Sequence, residues 1–196
     1  MIKAIIFDLA GVIVDISGIS KGYQELCEKH NKSTEKPWKK FREEWNKMKI
    51  DELSCDDYYV VVASELGISP EEIKNIFMDG IKINNEVKNL ILELKENYKI
   101  GVLSNTTKDI LNKDLELWDF REVAEVVTSC DDKVKKPDLE AMDLIIKRLG
   151  LEKEEVIFVD DKMDTVNKYS EHGVKCIRFE NCEQLASELE KAGCLK

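Results

Sequence analysis

The chain has 196 residues and a formal net charge of −10, and 43% of its residues are hydrophobic. This length fits one α/β domain with an insertion, and the negative surplus argues against nucleic acid as the main partner. The six cysteines show no CxxC spacing, which predicts reduced thiols, and no apolar run reaches the roughly 18 residues of a membrane span. We therefore expect a cytoplasmic protein without a nucleic-acid or membrane partner.

The first predicted element is a strand that ends at a carboxylate. The apolar run Ile5-Ile6-Phe7 is short enough to be a strand buried on both faces, and Asp8 follows it directly. A charge at the carboxyl end of a buried parallel strand is costly, and open α/β sheets bind their ligands at such ends. The position of Asp8 thus favours a functional role. Gly11 permits a tight turn after it.

Residues 16–84 are predicted to be helical throughout. Trp38, Phe41, Trp45 and Met48 recur on one face of a helix, which predicts the core of a small bundle or, in part, the border of a substrate cavity. The sequence Ser-Pro-Glu-Glu from Ser69 onward is a capping box that opens a further helix.

From residue 85 onward, predicted helices and strands alternate. The predicted strands cover residues 100–103, 126–128, 156–159 and 174–177, and amphipathic helices lie between and after them. Such alternation predicts an α/β fold with a doubly wound parallel sheet. We therefore predict a core domain made of residues 1–16 and 84–196, with residues 17–83 inserted as a helical cap after the first strand.

Polar residues stand at the ends of three predicted strands: Asp8, Ser104 with Asn105, and Asp160 with Asp161. These groups should converge, because the carboxyl ends of parallel strands share one edge of the sheet. Clustered carboxylates repel each other unless a cation lies among them, and ligation by oxygen alone suits Mg²⁺. Lys136 can bring a positive charge to the same place. This combination predicts a site for phosphoryl transfer in which one carboxylate is free to attack.

Four motifs occur in order along the chain, at residues 8–12, 103–106, 135–138 and 160–165. With them the sequence resembles the haloacid dehalogenase (HAD) superfamily over nearly its whole length. The resemblance implies a Rossmann-like sheet with strand order 5-4-1-2-3 and a small helical cap that selects substrates. It also implies an aspartyl-phosphate intermediate formed by attack of Asp8.

The resemblance further implies the roles of individual residues. The Mg²⁺ ligands would be Asp8, the backbone carbonyl of Ala10, Asp160 and Asp161. The transferring phosphoryl group would be bound by Ser104, Asn105 and Lys136, of which Ser104 and Lys136 also take part in catalysis with Asp8.

Two positions depart from the pattern of the superfamily. Its phosphatases usually carry a second Asp two residues after the nucleophile, which protonates the leaving group, and here that position is Ala10. Because positioned acid–base catalysis typically contributes about 10²–10⁴-fold, we expect a weakened activity. The second departure is Thr165, where members with this motif often have Asn.

The leading hypothesis is a Mg²⁺-dependent phosphatase that acts on a small phosphorylated metabolite. One alternative is a phosphonatase-like carbon-bond hydrolase, for which Lys49 is a candidate Schiff-base lysine. Another is a catalytically impaired member that binds a phosphorylated ligand or a protein partner, an interpretation that Ala10 favours. A metal-free dehalogenase agrees poorly with the paired Asp160 and Asp161.

Overall fold

The computed structural model describes residues 1–33, 35–48 and 52–195. The first half of the chain contains β1 (Ala4–Phe7), β2 (Val14–Asp15), α1 (Ser17–Lys29), α2 (Glu35–Met48), α3 (Cys55–Leu66), α4 (Pro70–Gly80) and β3 (Lys82–Ile83). The second half contains α5 (Asn85–Leu94), β4 (Lys99–Ser104), α6 (Lys108–Leu117), β5 (Glu125–Thr128), α7 (Ser129–Asp132), α8 (Leu139–Leu149), β6 (Val156–Asp160), α9 (Met163–Glu171), β7 (Lys175–Arg178) and α10 (Cys182–Lys191). Short 3₁₀ helices precede β5 and β6, at Phe120–Glu122 and Lys153–Glu155.

The central sheet has five parallel strands in the order β5-β4-β1-β6-β7. Since β2 and β3 form a separate antiparallel pair, the order becomes 5-4-1-2-3 when only the central strands are numbered along the chain. The predicted fold class is therefore confirmed. The middle strand is β1, which pairs with β4 on one side and β6 on the other, so the residue after it lies at the centre of one sheet edge.

The sheet is buried on both faces, as the apolar character of its middle strand predicts. Ile5 and Phe7 point into the larger hydrophobic core, whereas Ala4 and Ile6 point into the smaller one, because side chains alternate along a strand. Helices α8 and α9 cover the smaller core. Residues of α5, α6 and α10 contribute to the larger core, which completes the doubly wound arrangement.

In the sequence, helices α1 to α4 lie between β2 and β3, the two strands that pair with each other. Helix α1 packs closely on α4 at Gly18 and Gly80, where an added Cβ on Gly18 would lie 2.7 Å from the Gly80 carbonyl oxygen. The predicted aromatic face contributes to a bundle core in which Phe41 stacks on Phe77, with ring centroids 5.5 Å apart. The side chain of Trp38 falls outside the described residues. The division into core domain and cap stays a prediction.

One expectation for this segment is wrong. Residues 16–84 were expected to contain helices only, but β3 pairs with β2, with Val14 opposite Ile83 and Asp15 opposite Lys82. A strand of two residues is too short to produce a periodic pattern, so its pairing across the insertion leaves no local signal in the sequence. Among the residues that the structure describes, none of the helices has both the length and the apolar character of a membrane span.

Candidate active site

The polar residues predicted to converge do lie together at the carboxyl edge of the sheet. Asp8 directly follows β1, and Asp160 ends the neighbouring strand β6, with Asp161 next to it. Asp8 and Asp160 are buried, and Asp161 is half-buried. One carboxylate oxygen from each of the three lies within 4.8 Å of the others. The site thus begins as a compact group of acidic oxygens on adjacent strands.

A buried lysine joins two of these carboxylates. The Nζ of Lys136 lies 2.7 Å from Oδ1 of Asp8 and 2.6 Å from Oδ2 of Asp160. Its position is fixed by Asn105, whose amide accepts a hydrogen bond from the Lys136 N–H at 2.7 Å and donates one to the Lys136 carbonyl at 2.8 Å. The loop after β4 therefore holds the lysine in place between the two carboxylates.

The charges in the site oppose one another. Desolvation raises the pKa of Asp8, the positive charge of Lys136 acts to lower it, and the negative charge of Asp160 raises it further. For Lys162, desolvation acts to lower the pKa, but three neighbouring carboxylates outweigh this effect and raise it. The cluster as a whole favours an additional positive charge.

Two carboxylate oxygens in the cluster remain without a hydrogen-bond donor. Within the described part of the chain, Oδ2 of Asp8 and Oδ1 of Asp161 are buried and accept no hydrogen bond, although Lys162 Nζ lies 3.9 Å from the latter. Buried acceptors normally find a donor or a cation. An oxygen-only set of three clustered carboxylates has the chemistry that Mg²⁺ prefers, so these residues fit a divalent cation.

A glycine turn allows the first loop to approach this cluster. Gly11 has φ of +93°, in the region that favours glycine, and an added Cβ would lie 2.9 Å from Oδ2 of Asp161. The turn therefore brings the backbone after Asp8 close to the carboxylate that follows β6. A residue with a side chain at position 11 would collide with Asp161, so the glycine allows the first and last motifs to approach each other closely.

A family model described as haloacid dehalogenase-like hydrolase matches residues 2–166. The chain belongs to this family. The resemblance inferred from the four motifs is thereby confirmed, and hydrolase activity is the family's characteristic chemistry.

Solved structures show the same fold. A HAD family enzyme from Bacteroides thetaiotaomicron, BT-2542, solved in complex with magnesium and inorganic phosphate, is 18% identical; the match covers 92% of this chain and 95% of that one, with a TM-score of 0.70. The L-2-haloacid dehalogenase from Xanthobacter autotrophicus is 22% identical, with coverage of 97% and 83% and a TM-score of 0.67. At these identities the likeness concerns the fold alone.

A curated relative is the drimenol cyclase drtB of Aspergillus calidoustus, which is 21% identical over 147 residues. The match covers 70% of this chain but only 28% of that protein, so the chain corresponds to a small part of the relative's length.

In the present chain, a cavity of about 570 Å³ opens beside the carboxylates of Asp8 and Asp161. Its polar end is lined by five of the predicted site residues: Asp8, Ala10, Asn105, Lys136 and Asp161. Asp160 and Ser104 are buried at the ends of β6 and β4 and are not among the described residues that line the cavity. Lys49, the candidate Schiff-base lysine, lies outside the described residues. The cavity therefore gives access to Asp8 and Lys136, whereas Asp160 lies behind them.

The rest of the cavity wall includes an apolar patch formed by Val14, Ile16, Ile19, Trp45, Ile81 and Ile110. Polar side chains line the cavity as well, among them Asn46, Lys162 and Asp164. Three of the apolar residues belong to the predicted helical cap: Ile19 on α1, Trp45 on α2 and Ile81 just after α4. The expectation that the aromatic face of α2 also borders a cavity therefore agrees with the position of Trp45.

Asp114 of α6 is a cavity residue that sequence reasoning missed. Its side chain is only 1% exposed, and desolvation raises its pKa to about 7. Two neighbours on the same helix, Ile110 and Leu111, are also buried, so Asp114 occupies the apolar face at i+4 and i+3 from them. A carboxylate on the apolar face of an amphipathic helix was the signal available in the sequence.

Proposed function

We propose that this chain is a Mg²⁺-dependent phosphatase of a small phosphorylated metabolite, acting through an aspartyl-phosphate on Asp8. The observation that carries the proposal is the cluster of Asp8, Asp160 and Asp161, whose oxygens lie within 4.8 Å and of which two lack a hydrogen-bond donor among the described residues. The shared fold of BT-2542, which was solved with magnesium and inorganic phosphate, supports the same chemistry.

The residues available to hold Mg²⁺ are the carboxylates of Asp8, Asp160 and Asp161 and the backbone carbonyl of Ala10. When bound, the cation supplies positive charge that offsets the carboxylates and polarises the phosphoryl oxygens. Lys136 adds a second positive charge next to Asp8, where negative charge develops on the transferring group.

The environment of Asp8 suits it to nucleophilic attack. Its Oδ1 is held by the Leu9 N–H at 2.6 Å and by Lys136 at 2.7 Å, whereas Oδ2 accepts no hydrogen bond from the described residues. We assign the Asp8 carboxylate as the nucleophile: one of its oxygens bonds to phosphorus while the bond from phosphorus to the leaving oxygen breaks. Water then attacks the phosphorus, which releases inorganic phosphate and restores the Asp8 carboxylate.

The predicted phosphate-binding residues receive different roles. Ser104 at the end of β4 and Lys136 remain proposed ligands of the phosphoryl group. The side-chain amide of Asn105 is engaged twice by the Lys136 backbone, so we assign it to positioning Lys136. Loss of that amide should therefore displace the lysine rather than remove a direct contact.

Ala10 favours a second candidate function. With a methyl group at the position of the usual acid–base Asp, a member of the family could bind a phosphorylated ligand without turning it over. This candidate shares the cluster of acidic oxygens and Lys136 with the phosphatase. It differs in predicting Mg²⁺-dependent binding of phosphate esters with no release of phosphate.

The test is phosphate release from a panel of phosphorylated metabolites, with and without Mg²⁺, by wild type and Asp8→Asn. We expect release that requires Mg²⁺ and is lost in Asp8→Asn, because the amide keeps the shape of the carboxylate but is no nucleophile. Asp79→Asn, an exposed position on α4, is the control and should retain activity. Release that persists in Asp8→Asn or in excess chelator would contradict the mechanism.

A further inference from the structure

One wall of the cavity is formed by α6, through Thr107 at its N-cap, Ile110 and Asp114. These positions follow one another at i, i+3 and i+7, so they share a face of the helix. The helix begins just after β4 ends at the polar edge of the sheet, and Asp114 lies about two turns further along. Two turns correspond to on the order of 10 Å along the helix axis, so this carboxyl lies about that far beyond the N-cap of α6.

Among the described residues, Asp114 has no charge or hydrogen-bond partner that offsets its burial. Its Oδ1 accepts no hydrogen bond from the residues that the structure describes, and the side chain is almost fully buried. Desolvation is the one cause of its raised pKa. The charged residues of α4 and β3, which pack against α6, do not contribute to the shift: Glu71, Glu72, Lys74, Asp79 and Lys82. A buried acceptor without a donor is costly, and a donor on a ligand would offset that cost.

An apolar patch lines the cavity next to Asp114, although polar residues such as Asn46 and Lys162 also reach the cavity. Val14, Ile19, Trp45 and Ile81 line it together with Ile110, which precedes Asp114 by one turn. Such a patch binds a hydrocarbon segment, and beyond Ile110 the buried carboxyl of Asp114 offers an unsatisfied acceptor to the organic group.

We propose that Asp114 determines specificity by accepting a hydrogen bond from a hydroxyl or ammonium group on the leaving group of an organic phosphate. The donor and the phosphoryl group would be separated by an apolar spacer on the order of 10 Å long. The proposal rests on the proposed phosphatase function and deepens it, since it names the substrate class. Asp114 does not touch the reacting atoms, so it is a binding residue and not a catalytic one.

The first experiment measures binding without turnover. Isothermal titration calorimetry with Mg²⁺ gives the dissociation constants of hexyl phosphate and of its ω-hydroxy and ω-amino derivatives for Asp8→Asn protein. The extended chains of these esters have about the length of the spacer. We expect one or both of the derivatives to bind roughly tenfold to a hundredfold more tightly than hexyl phosphate, as for a hydrogen bond to a charged or partly charged acceptor.

Two substitutions test whether Asp114 causes the preference. Adding Asp114→Leu should abolish it and leave the affinity for hexyl phosphate within a few-fold, whereas Asp114→Asn, which keeps the shape and an acceptor, should retain part of the preference for the hydroxyl. Glu116→Gln, at an exposed position on the same helix, is the matched control and should change nothing. Equal affinities for the three esters, or a preference that survives Asp114→Leu, would overturn the proposal.

The second experiment uses proteins with Asp8 intact and separates the two hypotheses. We expect the preference to appear in KM, with kcat unchanged, because a remote contact is made equally in the ground state and the transition state. The ammonium preference should increase with pH as Asp114 ionises, and the hydroxyl preference should change less. If wild type hydrolyses none of the esters yet calorimetry shows the preference, the phosphatase proposal fails and the binding proposal stands. If wild type hydrolyses all three esters without any preference, the phosphatase proposal stands and the binding proposal for Asp114 fails.

Discussion

Replacing Lys136 by Met should destabilise the fold strongly in the absence of Mg²⁺. Lys136 contacts Asp8 at 2.7 Å and Asp160 at 2.6 Å, and the three side chains are between 0% and 4% exposed. Removing the Lys136 ammonium group leaves the buried carboxylates of Asp8 and Asp160 without their positive partner. Breaking a buried ion pair on one side costs about 3–5 kcal/mol, which is a large part of a typical free energy of unfolding of about 5–15 kcal/mol.

Two further measurements attribute this loss to charge. Asp8→Asn in the Lys136→Met background should recover part of the lost stability, since it removes one of the unpaired carboxylates. Saturating Mg²⁺ should stabilise Lys136→Met by about 2.7 kcal/mol at a hundredfold excess over its dissociation constant, if the carboxylates hold the cation as proposed. The assay is urea denaturation followed by circular dichroism, in chelator and in Mg²⁺, at a fixed pH.

Lys135→Met provides the matched control for this experiment. Lys135 is the preceding residue and is exposed, so its replacement should change the free energy of unfolding by less than about 0.5 kcal/mol. A loss below about 1 kcal/mol for Lys136→Met in chelator would refute the reasoning, as would an Asp8→Asn substitution that adds to the loss instead of reducing it.

Two other predictions concern the ends of the cavity. Burial raises the pKa of Asp114 from an ordinary 3.8 to about 7 in the folded protein. Asp114 therefore lowers the free energy of unfolding by an amount that is zero below pH 3.8, grows as the carboxyl ionises in the unfolded chain, and is complete above about pH 7. Asp114→Asn should therefore stabilise the protein by an amount that rises over this range to on the order of 4 kcal/mol, measured by denaturation at several pH values; a constant difference would contradict this cause. Ala10→Asp should accelerate hydrolysis of alkyl phosphates more than that of activated aryl phosphates, measured by steady-state kinetics, and equal slowing of both would contradict the missing-acid account.

The elements that could be predicted from the sequence are those with a local signal. The apolar runs that end in Asp8 and Asp160 identify the two adjacent strands, and parallel strands have one polar edge, so convergence of the carboxylates follows from the pattern. The pairing of β2 with β3 joins residues far apart in the chain and spans two residues each, which is below the length of any periodic signal.

The same distinction applies to the site residues. Lys136 was recognised from its motif, but its support by Asn105 depends on how two loops approach each other, and no spacing encodes that approach. Asp114 belongs to no motif at all. Its position on the apolar face of α6 indicates burial, but only the packing of α6 beside the cavity makes that burial relevant to a ligand.

Ala10 and Asp114 act on different ends of the same substrate. Asp114 lies about two helical turns beyond the N-cap of α6, on the order of 10 Å along the helix axis, and we assign it to binding the organic group and not to replacing the missing acid. Without an acid at position 10, esters whose leaving group departs readily are favoured. The binding contact at Asp114 can still raise kcat/KM for such esters, because tighter uniform binding lowers KM without requiring an acid at position 10. Specificity in this chain would accordingly reside in the organic group, and the identity of the leaving group would limit the rate.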